Sequence, residues 1–257
     1  MPKHIIDLHV VNVEHPHPDY ALLKLSSPAG PLPQMQPGQF VQVRVDDSPA
    51  TFLRRPISIN YADDSELWLL VHNIGLGTAR LCALQTGDSL NCLLPLGHGF
   101  TLPPTASPAR RTLLIGGGVG TAPMLYLGQQ LHAMGHKVSF LLGGRSATDI
   151  LQTALFEKYG RLFITTNDGS LGQPGFVTQH TVLNEESFDQ IYTCGPKPMM
   201  QAVVRWAREH GTPCEVSLEN MMACGLGACL CCVENTVRGN VCVCTEGPVF
   251  DEKELNW

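Results

Sequence analysis

The segment MACGLGACLCC occupies residues 222–232 of a 257-residue chain, and VCTEGP follows at residues 243–248. Within these two segments, Cys224, Cys229, Cys232 and Cys244 give the spacing C-x4-C-x2-C and then a distal cysteine. That is the spacing of a plant-type [2Fe–2S] loop. Three thiolates must converge from one tight loop, and the glycines between the cysteines let the backbone turn without Cβ clashes. The spacing predicts a cluster whose fourth thiolate comes from a neighbouring strand or hairpin.

Other uses of these cysteines stay open at the level of sequence. Zinc also accepts four thiolates, but its usual signature has two C-x2-C-like pairs, whereas the first gap here is four residues. Disulfides need an oxidising compartment, and the sequence begins MPKHIIDLHV without an apolar signal segment. Free cysteines are also buried as small hydrophobes. If the cysteines hold an iron–sulfur cluster, spacing alone favours Cys232 over Cys231 as the third ligand and Cys244 over Cys242 as the fourth.

The composition is that of a folded protein with a local excess of cysteine. Hydrophobic residues make up 44% of the chain, and six of its ten cysteines lie between Cys224 and Cys244. A net charge of −6, with no lysine or arginine cluster, argues against a nucleic-acid partner. No apolar run approaches the roughly 20 residues that span a bilayer. We therefore expect a cytoplasmic protein with neither a nucleic-acid nor a membrane partner.

Changes in sequence pattern predict three domains, at residues 1–102, 103–214 and 215–257. The first contains short runs in which apolar and polar residues alternate, separated by Gly and Pro, which is typical of a small antiparallel β-barrel. The second alternates strands with helices, which indicates a parallel sheet covered on both faces. The third is the cysteine-rich end of the chain. The predicted fold class is therefore an antiparallel β-barrel, a parallel-sheet α/β domain and a small C-terminal [2Fe–2S] module.

Two segments of the predicted barrel are candidates for phosphate binding. RRPISI, at residues 54–59, places cations and a hydroxyl on a strand whose start is fixed by proline. IGLGTAR, at residues 74–80, is a glycine loop opening a short predicted helix, whose backbone N–H groups could meet a phosphate. Each pattern is weak alone, because strand-end arginines are usually solvated and Gly-x-Gly is usually a turn. The predicted barrel strands are 4–13, 20–25, 40–45, 57–59, 67–71 and 89–94.

A glycine-rich turn, GGGVGTAP at residues 116–123, opens the α/β region after a predicted strand at 112–115. Such a strand–turn–helix unit holds a dinucleotide pyrophosphate in doubly wound sheets. Ligands also bind beyond the carboxyl ends of other strands, which makes YTCGP at 192–196 a second candidate. The alternative for Cys194 is a buried structural thiol. Further strands are predicted at 138–142, 162–166 and 190–193, with helices at 148–159 and 198–210.

Taken in order, the barrel, RPIS, GLGT, GGGVGTAP, CGP and the cysteine pattern resemble the ferredoxin–NADP reductase superfamily. More narrowly, the chain is similar to the electron-transfer subunits of class 1B dihydroorotate dehydrogenase. The resemblance runs from PGQF at 37–40 to GPVF at 247–250, and ACGLGAC at 223–229 is its most specific part. The chain departs from that family at Met221 and Cys231, where relatives usually carry arginine and glycine.

The resemblance implies a role for each matched residue. It implies FAD on the barrel, with Arg55 at the flavin pyrophosphate and Ser58 at the isoalloxazine edge, and NAD(H) on the α/β domain. Cys194 is implied as the catalytic residue beside the nicotinamide, where hydride passes to flavin N5. The residues implied to bind the two nucleotides are Arg55, Pro56, Ile57, Ser58, Val71, His72, Asn73, Gly77, Thr78, Gly117, Gly118, Gly120, Thr121 and Gly195.

The resemblance also implies a function. The chain would carry electrons between NAD(H) and an FMN-containing catalytic subunit, through FAD and [2Fe–2S], in a heterotetramer with two copies of each subunit. Dihydroorotate would be handled by the partner, because the sequence shows no candidate base for it. Reductase subunits of a hydrogenase or a ferredoxin:NADP oxidoreductase share these features and stay open, as does a zinc-bearing interaction module. NAD is expected, although Arg145 after the second α/β strand leaves NADP open.

Overall fold

A computed structural model describes residues 2–46, 48–104 and 107–257, and the chain divides into two compact units. Unit 1 comprises Met1–Gly99, Asn220–Glu234 and Asn240–Pro248. Unit 2 comprises Phe100–Glu219, Asn235–Gly239 and Val249–Trp257. The C-terminal region therefore contributes to both units, and all of its cysteines belong to unit 1. The division into three domains with boundaries after residues 102 and 214 stays a prediction.

Unit 1 is built on a closed barrel with the strand order β1-β2-β5-β4-β3-β6, which confirms the predicted fold class for this part of the chain. Alternating apolar side chains fill its interior, and Leu8, Leu23 and Leu69 have no exposed surface. Each hydrogen-bonded strand pair of the barrel is antiparallel. The elements are β1 (His4–His17), β2 (Tyr20–Ser26), β3 (Phe40–Val43), β4 (Arg55–Ala62), β5 (Glu66–His72), the short helix α1 (Leu76–Cys82) and β6 (Ser89–Leu96).

Strand β3 is buried on both faces, which is unusual for a barrel strand that could face solvent on one side. All four of its residues are at most 3% exposed. The cysteine-rich part of unit 1 covers its outer face. A Cβ on Gly225 would lie 2.7 Å from the Cγ atom of Gln42, and a Cβ on Gly97 would lie 3.0 Å from Phe40 and 2.5 Å from Pro248. Packing on β3 thus fixes where the cysteine loop sits on the barrel.

Unit 2 contains a seven-stranded sheet with the order β10-β9-β8-β7-β11-β12-β15, in which the last strand is Val249–Asp251. All of its neighbouring strands run parallel except β12 and β15, and the predicted α/β class is confirmed. The elements are β7 (Arg111–Gly117), α2 (Ala122–Ala133), β8 (Lys137–Gly144), α3 (Thr153–Tyr159), β9 (Arg161–Thr166), β10 (Gln173–Pro174), α4 (Val182–Glu185), β11 (Gln190–Cys194), α5 (Lys197–Glu209) and β12 (Cys214–Ser217).

The remaining elements follow β12. A hairpin of β13 (Val233–Thr236) and β14 (Gly239–Cys242) leads into the short helix α6 (Val243–Glu246), and β15 (Val249–Asp251) then pairs with β12. Neither β12 nor β15 was predicted, because strands of three or four residues are too short to show an alternating pattern. Among the described residues, no helix combines the length and the apolar character that crossing a bilayer requires.

The predicted helix at 148–159 is wrong in its first half. Residues Ala147–Asp149 form one 3₁₀ turn instead, and α3 begins only at Thr153. The Asp149 carboxylate accepts the backbone N–H groups of Arg145 and Ser146 at 2.9 and 3.0 Å, which closes a local turn. Gln152 then has φ 57°, in the left-handed region, and interrupts the helix. This side-chain competition with helical hydrogen bonding is typical of aspartate.

Candidate functional site

The cysteine loop, residues 224–232, directs backbone N–H groups at cysteine sulfurs. The N–H of Leu226 lies 3.3 Å from Cys224 Sγ, and the N–H of Gly227 lies 3.2 Å from Cys244 Sγ. The N–H of Cys244 in turn lies 3.4 Å from Cys232 Sγ. Hydrogen bonds to ligand sulfurs orient metal-bound thiolates and tune the metal. The loop is therefore shaped to hold negatively charged sulfur.

Hydrogen bonds link the predicted ligands, Cys229 to Cys224 and Cys232 to Cys244, and Cys232 also bonds to the extra Cys242. Burial acts to raise the pKa of Cys224, but the N–H groups of Leu226, Cys229 and Ala228 and the Cys229 thiol outweigh it and lower that pKa to about 6. Burial and the neighbouring Cys232 thiol raise the pKa of Cys244 to about 12. A metal would have to displace the Cys244 proton, as is usual for thiolate ligands.

These residues fit a [2Fe–2S] cluster. Such a cluster is held by four cysteine thiolates shared between two irons, and hydrogen bonds to its sulfurs tune its potential. The N–H groups of Leu226, Gly227 and Cys244 point at the sulfurs of three of the predicted ligands. The loop therefore supplies both the thiolates and the hydrogen-bond donors that the cluster would use.

Burial distinguishes two of the predicted ligands, Cys232 and Cys244, from the extra cysteines beside them, whereas Cys229 is exposed and Cys224 is half-buried. Cys232 is 2% exposed whereas Cys231 is exposed to solvent, and Cys244 is 1% exposed whereas Cys242 is half-buried. Cys242 lies 3.9 Å from the carbonyl oxygen of Gly227. The choice of ligands stays a prediction, and the inward placement of Cys232 and Cys244 supports it.

A second group of predicted residues comes together at the start of α1. A Cβ on Gly77 would lie 2.5 Å from Arg55 Nε and 2.8 Å from Arg55 Cζ, so the guanidinium group packs directly on the Gly77 backbone. Arg55 also donates from Nη1 to the carbonyl oxygen of Leu53 at 2.5 Å. A cation beside the first turn of a helix is suited to bind a phosphate. These residues therefore fit a flavin pyrophosphate.

The side chain of the neighbouring Arg54 is hydrogen-bonded to strands of the barrel. Its Nη1 atom donates to the carbonyl oxygens of Gln42 and Asn91 at 3.0 and 3.1 Å. Its Nη2 atom donates to Asn91 Oδ1 at 2.5 Å. Arg54 thus ties β3 to β6, and Arg55 is the arginine of the pair that faces the glycine turn.

The other residues predicted for FAD occupy different environments. Pro56 and Ser58 are half-buried on β4, and Ile57 is 9% exposed. Val71 has no exposed surface, so only its backbone could meet a ligand. His72 stacks on Tyr20 with ring centroids 4.3 Å apart, and the following Asn73 is exposed.

Thr78, which the family resemblance assigns to phosphate binding, uses its hydroxyl group within its own turn. Its Oγ1 atom accepts the N–H groups of Ile74 and Gly75 at 2.9 and 3.1 Å and donates to the Gly75 carbonyl oxygen. Thr78 therefore shapes the turn that presents Gly77. Contact between the Thr78 backbone and a phosphate stays a prediction.

The residues predicted for NAD(H) meet at the carboxyl ends of β7 and β11, which are neighbouring parallel strands. A Cβ on Gly120 would lie 2.6 Å from the backbone carbonyl group of Cys194 and from Gly195 Cα, and a Cβ on Gly117 would lie 2.5 Å from Met199 Sδ. The glycine turn therefore packs directly on the end of β11. This juxtaposition is where a doubly wound sheet binds a dinucleotide.

The side of this turn that faces away from β11 is open. Gly118 has φ +56°, and a Cβ placed there would meet no atom within 4 Å. Thr121 is 3% exposed, and its hydroxyl group donates a hydrogen bond to the Gly118 carbonyl oxygen at 3.0 Å, which fixes the backbone conformation of the turn. A pyrophosphate can thus approach the backbone at Gly118 without a side chain in its way. The residues of this turn therefore fit the dinucleotide that the glycine-rich sequence predicts.

Cys194 is fully buried and carries a neutral thiol. Burial, reinforced by the nearby Glu219 carboxylate, raises its pKa well above the ordinary value. The thiol lies 3.8 Å from Glu219 Oε1. Cys194 therefore cannot act as a thiolate nucleophile near neutral pH, and its role beside a nicotinamide would be to pack and to exclude water.

The sequence interpretation missed Glu219. The residue lies two positions beyond the last residue of β12, and β12 lies beside β11 with Cys194 opposite Ser217. A carboxylate just beyond the carboxyl end of a parallel strand is in a ligand-binding position. Recognising β12 would have revealed it, but four residues gave no strand pattern.

Comparison with known proteins agrees with this arrangement. A family model described as the iron–sulfur cluster binding domain of dihydroorotate dehydrogenase B matches residues 219–256, and one described as the oxidoreductase NAD-binding domain matches residues 114–205. A structure reported for an NADH-dependent reduced ferredoxin-NADP oxidoreductase is 27% identical, with a TM-score of 0.84, and the match covers 97% of this chain and 90% of that chain.

Two curated relatives extend the agreement over most of the sequence. Each carries the name dihydroorotate dehydrogenase B (NAD(+)), electron transfer subunit. The protein from Shouchella clausii is 42% identical over 228 residues, and the protein from Geobacillus thermodenitrificans is 40% identical over 226 residues. Each match covers 86% of this chain and 86% of the relative. The chain therefore belongs to the family of dihydroorotate dehydrogenase B electron transfer subunits.

Proposed function

We propose that the chain carries electrons between NAD(H) and the catalytic subunit of a dihydroorotate dehydrogenase, in pyrimidine biosynthesis. The observation that carries this proposal is that one chain holds both the four clustered cysteines Cys224, Cys229, Cys232 and Cys244 and a dinucleotide turn. Its cofactors are FAD, NAD(H) and a [2Fe–2S] cluster. FAD, when bound, links the two-electron hydride chemistry of the nicotinamide to one-electron chemistry at iron.

The residues of this chain supply binding, orientation and electrostatics. Arg55 neutralises the flavin pyrophosphate through charge-assisted hydrogen bonds, and Gly77 leaves room for the guanidinium group. The turn at Gly117, Gly118 and Gly120 receives the NAD(H) pyrophosphate on its open side. Cys194, being buried and neutral, packs at the end of β11 and keeps water from it. The four cysteines Cys224, Cys229, Cys232 and Cys244 hold the cluster.

The surface around the cysteine loop supports a protein partner. Met221, Leu226 and Leu230 are 81%, 47% and 65% exposed. All three lie within the stretch 221–230 that contains most of the cysteine loop, and exposed apolar patches mark protein interaction sites. We propose that the FMN-containing catalytic subunit docks here, that the complex contains two copies of each subunit, and that it is cytoplasmic. Dihydroorotate is bound by that partner.

A second candidate function is electron transfer within a ferredoxin:NADP oxidoreductase. The match to an NADH-dependent reduced ferredoxin-NADP oxidoreductase over 97% of the chain favours it. The curated relatives at about 40% identity favour dihydroorotate oxidation instead. They also favour NAD over NADP, since NAD(+) is part of their names. Arg145, which follows β8 and is exposed, is the residue to substitute if NADP(H) proves to be the substrate.

Reconstitution with the partner tests the proposed function. The purified holoprotein is mixed with an FMN-containing dihydroorotate dehydrogenase catalytic subunit, and NADH formation from dihydroorotate and NAD+ is recorded. Each component alone should produce no NADH, and the mixture should produce it steadily. The Cys232→Ser protein serves as the matched control and should form the complex but give no NADH. Oxidation of dihydroorotate by the isolated chain would contradict the proposal.

A further inference from the structure

One buried glutamine beneath the cysteine loop has an unsatisfied side chain. Gln42, on β3, has no exposed surface. Neither Nε2 nor Oε1 of its carboxamide has a hydrogen-bond partner among the described residues. An unpaired buried polar group loses its hydrogen bonds to water without replacement and destabilises the fold, and such groups are rare in native proteins. The candidate hydrogen-bond partner of this carboxamide is therefore a bound group outside the polypeptide.

The position of Gln42 identifies the nearest part of the site. A Cβ on Gly225 would lie 2.7 Å from Gln42 Cγ and 3.1 Å from Gln42 Nε2. The glutamine side chain thus packs directly on the backbone of the cysteine loop. Gly225 immediately follows Cys224, the first predicted ligand. The carboxamide nitrogen is held against the end of the loop at which the first thiolate lies.

The barrel fixes this position from the other side. The backbone of Gln42 pairs with Pro56 in β4, and its carbonyl oxygen accepts Arg54 Nη1 at 3.0 Å. Leu96 Cδ1 also lies 3.1 Å from the Cβ position of Gly225, so an apolar side chain packs on the same part of the loop as the glutamine. The described residues offer the carboxamide N–H no acceptor, whereas the electron-rich sulfurs of an iron–sulfur cluster accept hydrogen bonds.

We propose that the Gln42 carboxamide donates a hydrogen bond to the sulfur ligands of the [2Fe–2S] cluster and thereby raises the reduction potential of the cluster. The inference rests on the proposed function, because it requires the cluster. N–H groups that point at cluster sulfurs stabilise the additional negative charge of the reduced state. The carbonyl oxygen of Gln42 stays under-satisfied, which proteins tolerate more often than an orphaned N–H group. Gln42 is a positioning residue and takes no part in electron chemistry itself.

The test compares the Gln42→Met holoprotein with the parent by EPR-monitored redox titration. Methionine keeps the length of the side chain and removes both polar atoms. The cluster midpoint should become more negative by about 30–60 mV, which corresponds to about a three- to tenfold change in a one-electron equilibrium. The flavin midpoint should not move. In a parent protein labelled with ¹⁵N on glutamine side chains, pulsed EPR of the reduced cluster should also detect a weakly coupled ¹⁵N that Gln42→Met lacks.

Gln39 provides a matched control. It is 4% exposed, but its Oε1 atom accepts the N–H of Gln36 at 2.7 Å and its Nε2 atom donates to the Gly97 carbonyl oxygen at 2.9 Å. Gln39→Met should lower stability, because it removes hydrogen bonds to the partly buried backbone groups of Gln36 and Gly97, and should leave the cluster midpoint unchanged. A structural effect of losing a buried glutamine is thereby separated from an effect on the cluster.

Three results would overturn the inference. If the cluster midpoint of Gln42→Met equals that of the parent, the hydrogen-bond partner of the carboxamide is a buried water and not the cluster. If only the flavin midpoint moves, the partner is the flavin. If Gln42→Met fails to retain its cluster, the absence of glutamine ¹⁵N coupling in the parent protein decides against the proposal. A parent protein without iron would instead refute the proposed function, and the two failures are distinguishable.

Discussion

The two glycine turns differ in what their missing side chains make room for. In unit 1, a Cβ on Gly77 would meet the guanidinium group of Arg55, which is the end of a flexible side chain. In unit 2, a Cβ on Gly120 would meet the backbone of Cys194 and Gly195. A side chain can move aside, whereas a strand end within a sheet cannot. The flavin site is therefore adaptable and relies on charge, and the NAD(H) site is rigid and relies on close backbone packing.

Loss of the cluster is the largest expected effect, and it should leave both turns intact. Serine in place of Cys224, Cys229, Cys232 or Cys244 should abolish the EPR signal of the reduced cluster, because each replacement removes a thiolate ligand. Cys231→Ser and Cys242→Ser are the matched controls and should keep the signal. If Cys231→Ser loses the cluster while Cys232→Ser keeps it, the assignment of the loop is wrong.

Gly120→Ala should produce the next largest effect, confined to NAD(H). The added Cβ would lie 2.6 Å from the backbone of Cys194, so the turn must shift. Displacing a reactant by about 1 Å can cost about a hundredfold in rate. Stopped-flow reduction of the flavin by NADH should slow by about that factor while FAD and iron contents stay at parent values. Gly118→Ala leaves the turn packed on β11, since its Cβ would meet no atom within 4 Å, but it puts a methyl group where the pyrophosphate approaches. It should therefore raise the NADH concentration needed for half-maximal rate and lower the limiting rate much less than Gly120→Ala does. An equal fall of the limiting rate in both variants would contradict the rigid-turn interpretation.

Arg55→Ala should weaken FAD binding about ten- to hundredfold, because a hydrogen bond to a charged group contributes about 1.5–3 kcal/mol. FAD affinity is measured by the quenching of flavin fluorescence on titration into apoprotein. Arg54→Ala is the control: it loses hydrogen bonds to β3 and β6 and should lower the thermal midpoint more than the FAD affinity. Undiminished FAD binding by Arg55→Ala would place the pyrophosphate elsewhere.

Gly77→Ala should have a smaller effect than Gly120→Ala, which sharpens the comparison directly. The Arg55 side chain can rotate away from the new Cβ, so the turn is kept and only the position of the cation changes. We expect an intermediate loss of FAD affinity, below that of Arg55→Ala, in the same fluorescence titration. A loss of folding in Gly77→Ala would show that the unit 1 turn is as rigid as that of unit 2.

The smallest expected effect is a loss of stability at alkaline pH. Burial raises the pKa of Cys92, in unit 1, to about 12. Between the ordinary thiol pKa and about 12, the unfolded chain releases this proton and the folded chain keeps it, so the free energy of unfolding falls as pH rises. One pH unit above the ordinary value, the loss is about 1.4 kcal/mol. Denaturant titrations at pH 8 and at pH 10 should show it, and Cys92→Val should reduce the difference.

How much of the site is readable from sequence depends on how far apart its parts lie along the chain. The cysteine loop and the glycine turn were predictable because each is a contiguous segment whose spacing carries the chemistry. Glu219 beside Cys194 and Gln42 beneath Gly225 were not, since each pair is joined only by the fold. Strands β12 and β15 were too short to show a period, and the helix at 148–159 was interrupted by the left-handed Gln152.

The order of electron transfer is the central claim, and a cluster-free protein tests it most directly. Cys232→Ser protein loaded with FAD is mixed anaerobically with NADH, and flavin absorbance is followed beside a one-electron acceptor that draws only on the cluster. The flavin should bleach at the rate of the parent protein, since hydride transfer requires only the nicotinamide and flavin rings in contact. The acceptor should stay oxidised, and dihydroorotate alone should reduce nothing. A flavin that NADH cannot bleach without the cluster, or an acceptor that is still reduced, would contradict the account.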